Sequence, residues 1–266
     1  MLGLAQWAVR RISVMSFDVA ADDYDRFMGR YSRLLAPQLA DFARVWAGQR
    51  ALDVGCGPGA LTSELVERLG SSAVFAVDPS ESFVAAARQR NPGVEVRRAS
   101  AEELPFPPGA FDATIAQLVV HFMPDPNKGL AEMARVTRRD GVVAACVWDH
   151  GGSQGPLSLF WGAARGLDPA VVDESKLPGV REGHLATLFR AAGLREIEPA
   201  VLSVSLEHAT FDAWWEPFTR GVGPAGSYFA SIGAERQVEL REACRRLVPD
   251  GPFVVTARAW AARGLA

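Results

Sequence analysis

Between residues 50 and 150, short apolar β-branched runs alternate with segments whose apolar residues recur every three or four positions. RALDVG reads as a buried strand. ALTSELVERLG reads as a helix with Leu61, Leu65, Val66 and Leu69 on one face and Gly70 as its stop. AVFAVD is a second strand, followed by the helix SESFVAAARQR, with Ser80 as N-cap and Asn91-Pro92-Gly93 ending it. VEVRR and AFDATIAQ are a third and a fourth strand, KGLAEMARVTRR a helix, and GVVAACVWD a fifth strand. Strands separated by helices form parallel βαβ units, with helices on both faces of the sheet. The fold class is α/β, doubly wound.

The pattern changes after Asp149. GGSQGP reads as a flexible connector, SLFWGAARGL and GHLATLFRAAGL as short helices, and REIEPAVLSVSLEH as a strand broken by Pro199. FDAWWEPF and AERQVELREACRRLV are helical, and PFVVTARAWAA is a final strand. Two late strands then finish the sheet, with helical insertions beside them. The expected organisation is an N-terminal extension over 1–18 that is poorly ordered, a cofactor-binding core over 19–150, and a lid and acceptor region over 151–266. The stretch before Met15 has its arginines after its apolar residues, the wrong order for a signal peptide, and Met15 is a candidate initiator.

Composition narrows the classes. At 48% hydrophobic and 22% charged residues the chain is ordinary globular protein, too apolar for general disorder. A net charge of −3 argues against a nucleic-acid partner held by bulk electrostatics. Cys56, Cys146 and Cys244 lie far apart, with no CxxC or Cys/His pair at zinc spacing, so neither a disulfide framework nor a metal is expected. Nothing approaches the ~20 apolar residues of a membrane span. A cytoplasmic monomer or homodimer without a membrane partner fits.

The most informative segment is LDVGCGPGALTSEL. Gly55, Gly57 and Gly59 stand between a strand and a helix, where missing Cβ atoms permit a sharp turn and a close ligand approach. The G-x-G-x-G spacing is not the dinucleotide G-x-G-x-x-G, and no G-K-[ST] follows. Asp53 ends the first strand, and Asp78 ends the second, nineteen residues after Gly59. Carboxyl ends of parallel strands face the ligand crevice of such sheets, and a carboxylate there can accept both hydroxyls of a ribose. The alternative role for Asp78 is to complement the dipole of the helix that follows it. SAEELPFPPGAFD supplies a loop whose backbone can meet an adenine edge.

Together these segments resemble a class I S-adenosylmethionine-dependent methyltransferase of the UbiE/type-11 group. LDVGCGPG, AVDPS and SAEELPFPPGAFD resemble its first three motifs, QLVVHFMPDPNKGLAEMARVTRRDG its fourth strand and following helix, and AADDYDRFMGRYS the N-terminal helix that closes over the cofactor. The resemblance spans about residues 19–149. It implies a mostly parallel seven-stranded sheet, the Rossmann-like methyltransferase fold with helical lid insertions, and S-adenosyl-L-methionine as cofactor. It places Gly55, Gly57 and Gly59 at the methionine part, Asp78 at the ribose, Pro79 beside the adenine, and Ala101 and Glu102 at its edge, with Gln117 facing the cofactor. Ser100 stands where the family often has Asp. Tyr24 and Arg30 match the covering segment, Arg30 as partner of the cofactor carboxylate.

The implied reaction is methyl transfer to a small, partly apolar organic acceptor by in-line displacement. A base is needed only if the acceptor must lose a proton, and His121, His150 and Asp149, near the strand ends, are the candidates. Phe160, Trp161, Phe211, Trp214, Trp215, Phe218, Tyr228 and Phe229 crowd the second half. Most read as lid core; Trp161, Trp214, Trp215 and Phe218 are the candidate acceptor contacts. Gly221, Gly223 and Gly226 around Pro224 suggest a mobile or tightly turned loop. A nicotinamide-dependent oxidoreductase and a non-catalytic cofactor-binding protein are the competing readings.

Overall fold

The computed structural model describes residues 21–266; the expected N-terminal extension over 1–18 and the Met15 start lie outside these residues. In chain order, α1 (Ala21–Tyr24) runs through a π-helical turn at Asp25–Gly29 into α2 (Arg30–Phe42). There follow β1 (Ala51–Val54), α3 (Ala60–Leu69), β2 (Val74–Asp78), α4 (Glu81–Arg90) and β3 (Glu95–Arg98). Then come β4 (Phe111–Gln117), α5 (Pro126–Val136), β5 (Thr137–Trp148), α6 (Ser158–Leu167), α7 (His184–Ala191) and β6 (Arg195–His208). The chain closes with α8 (Phe211–Trp215), α9 (Gly223–Ser231), α10 (Ala234–Arg245) and β7 (Phe253–Leu265).

One seven-stranded sheet has the order β3-β2-β1-β4-β5-β7-β6. Its first five strands are parallel, and β7 runs antiparallel to both β5 and β6. The alternation of side chains sorts β5 cleanly between the two faces. Ala144, Cys146 and Trp148 join the core that holds Leu35, Leu65 and Ile115, whereas Val143, Ala145 and Val147 join the core of Leu130, Met133 and Phe189. Both faces are covered, which is why these strands read as continuous apolar runs.

Three local expectations need correction. Pro199 does not break β6: it sits opposite Ala262 within a continuous strand, tolerated because β6 is an edge of the sheet. Segment 223–231 is helix α9 rather than a mobile loop, with Pro224 in its first turn, where a missing N–H costs nothing. Gly221, before the helix, and Gly223, its first residue, take left-handed φ, and Gly226 packs on the Gly221 backbone so closely that a Cβ would lie 2.6 Å from it. Ser80 occupies the N-cap position of α4, but its side chain bonds Ser82 Oγ at 2.9 Å instead of capping the helix.

Candidate active site

The loop joining β1 to α3 owes its shape to three glycines that serve different ends. All have left-handed φ: 71° at Gly55, 52° at Gly57 and 95° at Gly59. A Cβ at Gly55 would come within 2.5 Å of Val119, and one at Gly59 within 2.6 Å of the Asn91 amide. A Cβ at Gly57 would meet nothing within 4 Å, and Gly57 lines a cavity. Gly55 and Gly59 thus permit packing of the loop, and Gly57 keeps its backbone open to a ligand.

That cavity has a volume of about 580 Å³, within the range of small-molecule and cofactor sites. The carboxyl ends of β1, β2 and β4 form its floor. Asp78 is buried there, its Oδ2 accepting from the Gly57 N–H and its Oδ1 from the Ser80 N–H, both at 2.9 Å. Burial pushes its carboxyl up to about 6 against these two bonds. Each oxygen retains capacity for a further donor. Leu118, at the end of β4, holds an unusual φ of 63° that turns the chain along the cavity wall. Tyr24, Phe27 and Met28 close the space from the N-terminal side. The latter two sit in the π-turn, a distortion that recurs at functional sites.

Of the sequence-derived cofactor residues, Tyr24, Gly55, Gly57, Asp78 and Pro79 line this cavity, as do Ser100, Ala101, Glu102 and Gln117. Ser100 and Glu102 are locked to each other, the Ser100 hydroxyl donating to Glu102 Oε2 and accepting from the Glu102 N–H at 3.1 Å. Three others are not in the wall. Asp53 is fully buried beneath the loop, with Oδ2 accepting from the Thr62 hydroxyl at 2.7 Å and Oδ1 unpaired. Burial drives its carboxyl to about 7. Gly59 faces α4. Arg30 points away, its guanidinium donating to the Glu207 carbonyl at 3.2 Å. It sits where it does because α2 packs along β6 rather than over the crevice.

The acceptor residues inferred from aromatic density are likewise displaced. Trp161, Trp214, Trp215 and Phe218 are all buried, and none lines the cavity. They form a packed aromatic core: Phe218 stacks on Phe160 with centroids 4.6 Å apart, Trp214 meets Phe218 at 5.0 Å, and Trp215 meets Phe229 edge-on at 5.4 Å. Phe218 reaches the site only indirectly, through an edge contact with Phe27 at 4.9 Å. The walls are instead Trp148, Leu157, Val222 and Ala225.

Two of the three candidate bases face this end of the cavity. His121 and His150 line it, their ring centroids 5.9 Å apart. Burial holds His121 far below the usual imidazole range, with His150 adding to the effect. Burial lowers His150 to about 4 despite the opposing charges of Asp173 and Asp149. Both rings are therefore neutral near pH 7 and weak as proton acceptors. Asp149 lies outside the wall, occupied by Arg258 at 2.6 Å and by the Gly152 N–H at 2.7 Å. One residue in the wall carries no signal in the sequence: Glu174, on a 3₁₀ turn (Glu174–Lys176), only 2% exposed and with Oε2 unpaired.

The family model described as a methyltransferase domain matches residues 52–145, the stretch that builds the floor of this cavity. An uncharacterized protein of Mycobacterium tuberculosis is 29% identical over 243 residues, covering 87% of each chain. A phosphatidylethanolamine N-methyltransferase of Cereibacter sphaeroides is 34% identical over 142 residues, 51% of this chain and 67% of that one. Among solved structures, the YcgJ protein of Bacillus subtilis superposes with a TM-score of 0.56 at 21% identity, covering 89% of this chain and 98% of the other. The chain belongs to the class I S-adenosylmethionine-dependent methyltransferases. The nicotinamide reading falls with that assignment.

The cavity suits that cofactor. Asp78 offers free acceptor capacity at the end of β2, and Gly57 leaves open the space a side chain would fill. The unpaired, buried Gln117 Oε1 at the end of β4 awaits a donor. Among the described residues, no cluster of side chains is arranged to hold a metal, and no helix is long and apolar enough to cross a membrane.

Proposed function

We propose that the protein transfers a methyl group from S-adenosylmethionine to a small, partly apolar organic acceptor by in-line displacement. The carrying observation is the continuity of the cavity: Gly57, Asp78 and Pro79 at one end share a single space with Trp148, Leu157 and Val222 at the other. The cofactor, when bound, supplies a methyl already activated on a sulfonium. The chain's own task is then to bind, orient and exclude water. Asp78 would accept hydrogen bonds from the ribose hydroxyls, and the open backbone at Gly57 would hold the methionine part. Ser100, Ala101 and Glu102 would hold the adenine. Tyr24, Phe27 and Met28 cover the site, and the apolar wall beyond positions the acceptor. Such positioning supplies ~7–11 kcal/mol of a displacement barrier. The relative named as a phosphatidylethanolamine N-methyltransferase supports an acceptor other than a nucleic acid.

Calorimetry with S-adenosylmethionine, S-adenosylhomocysteine and NAD tests the cofactor half, and a screen of small metabolites for uptake of labelled methyl tests the acceptor half. Binding of both sulfur ligands and of no nicotinamide is expected. Tight NAD binding without response to either sulfur ligand refutes the reading, as does methyl uptake confined to RNA or protein.

A further inference from the structure

Glu174 is a buried acid in the cavity wall that also includes Trp148, Leu157, Val222 and Ala225 and the neutral imidazoles of His121 and His150. Its position is fixed from behind: Asp173 caps the turn by accepting from the Ser175 N–H at 2.9 Å and is paired with Arg165, and Leu177 and Val180 anchor the segment in the interior. Arg165 is thereby committed to Asp173, so the adjacent cation does not compensate Glu174. The Trp161 indole lies close enough to favour the charged form but makes no hydrogen bond of good geometry, its Nε1 remaining unpaired. Burial pushes the Glu174 carboxyl up to about 8, opposed by its own backbone N–H and by Trp161 and reinforced by Asp173. Across the same cavity stand His121, with Nδ1 unpaired, and His150, both neutral. The space thus holds a carboxyl oxygen that needs a partner, while the one arginine among the described residues of its wall, Arg98, is engaged by the Pro79 carbonyl at 3.1 Å and by Glu81.

We propose, building on the methyl-transfer reading above, that the acceptor is a small amine with an apolar body, held as its ammonium by Glu174, which then takes the proton that frees the nitrogen lone pair. Burial keeps the free Glu174 carboxyl protonated, and an entering cation stabilises its ionised form where a neutral hydroxyl does so only in part. The proton match also favours nitrogen. An alkylammonium, near 10.4 in water, is within reach of an acid at about 8, whereas the neighbouring histidines are too weak as bases. The step balances. One N–H proton passes to Glu174, and the nitrogen lone pair forms the new C–N bond. The methyl's C–S bond breaks with its electron pair passing to sulfur, leaving S-adenosylhomocysteine and an N-methylated ammonium. Trp148, Leu157 and Val222 receive the apolar body.

The test uses the full chain saturated with S-adenosylhomocysteine. It is titrated calorimetrically at pH 7 with a graded amine series from methylamine to 2-phenylethylamine and tryptamine, with 2-phenylethanol and 4-ethylphenol as neutral counterparts. At least one amine should bind tenfold or more tightly than both neutral compounds. In buffers of different ionisation enthalpy its binding should release close to one proton, because Glu174 is protonated when free and ionised when paired. The protonated-carboxyl band in difference infrared spectra of the wild type should disappear on binding. Glu174→Gln should lower amine affinity at least tenfold and abolish proton release, with S-adenosylhomocysteine affinity unchanged as the check on folding. Equal or better binding of the alcohol or phenol, no binding across the amine series, or an unaltered Glu174→Gln variant overturns the proposal while leaving the methyl-transfer reading intact. Failure of S-adenosylhomocysteine itself to bind defeats that reading instead.

Discussion

At the scale of single residues the site is a set of polar atoms held short of satisfaction. Asp78 gives the clearest consequence. Its two remaining acceptor positions suit ribose hydroxyls, so Asp78→Ala should weaken S-adenosylhomocysteine binding by about 1.5–3 kcal/mol, the range for bonds to a charged group, measured by calorimetry. The sign of its pH dependence follows from its raised pKa. Hydroxyl donors favour the carboxylate, so wild-type affinity should hold above pH 6 and fall as pH drops through about 6, and Asp78→Asn should lose that dependence. The two glycines flanking Cys56 should separate binding from stability. Gly57→Ala places a methyl on the cavity-lining loop and should abolish cofactor binding in a protein that still folds, at only the modest stability cost of its left-handed φ. Gly55→Ala drives a Cβ into Val119 and should lower the unfolding midpoint as well. The glycine spacing and Asp78 were legible in the sequence because each is a short motif pinned to a strand end. Glu174 was not, because an acid in VVDESKLPG looks like any solvated loop residue until the fold buries it.

At the scale of elements, amphipathic period and β-branched runs located every strand of the sheet, since each buries at least one face. The errors came where a neighbour overrides local chemistry. Pro199 would end a central strand, but β6 has an open side. Trp214 and Trp215 suggested an acceptor wall, but α8 buries both in an aromatic core that supports the cavity from behind. Trp215→Leu should therefore cost stability, by about 1–3 kcal/mol as a poorly filled core site, and leave acceptor preference in place; denaturant titration beside an acceptor screen checks both. The covering segment around the π-turn is held by Phe27, buried against Phe218. Phe27→Ala should loosen that cover and speed cofactor dissociation, read by stopped-flow fluorescence. Loss of overall stability with an unchanged dissociation rate would show that the segment is no cover.

At the scale of the whole molecule, buried titratable groups of both kinds oppose each other. His121, His150 and His208 are held neutral by burial, so the unfolded chain takes up more protons as pH falls below the normal imidazole range, and stability is lost on that side. Asp53, Asp78 and Glu174 are raised, so the folded chain keeps protons the unfolded chain has released, and stability is lost as pH climbs through their values. The two sets offset each other between about pH 4 and 6. Above about 6.5 the histidines no longer contribute, and Asp53 and Glu174 dominate. The ligand-free protein should thus be less stable at pH 8.5 than at pH 6, losing about 1.4 kcal/mol per pH unit for each group still titrating, and Glu174→Gln should flatten that slope in chemical denaturation. The strand order has a different consequence, one of timing. β7 lies between β5 and β6 although it follows both in the chain. Throughout synthesis, until residues 253–265 emerge, the nascent protein therefore displays two open strand edges with nothing to join them. The completed ligand crevice and the vulnerability to aggregation thus coexist on the ribosome. Any C-terminal truncation that removes β7 should yield inclusion bodies rather than a smaller working enzyme.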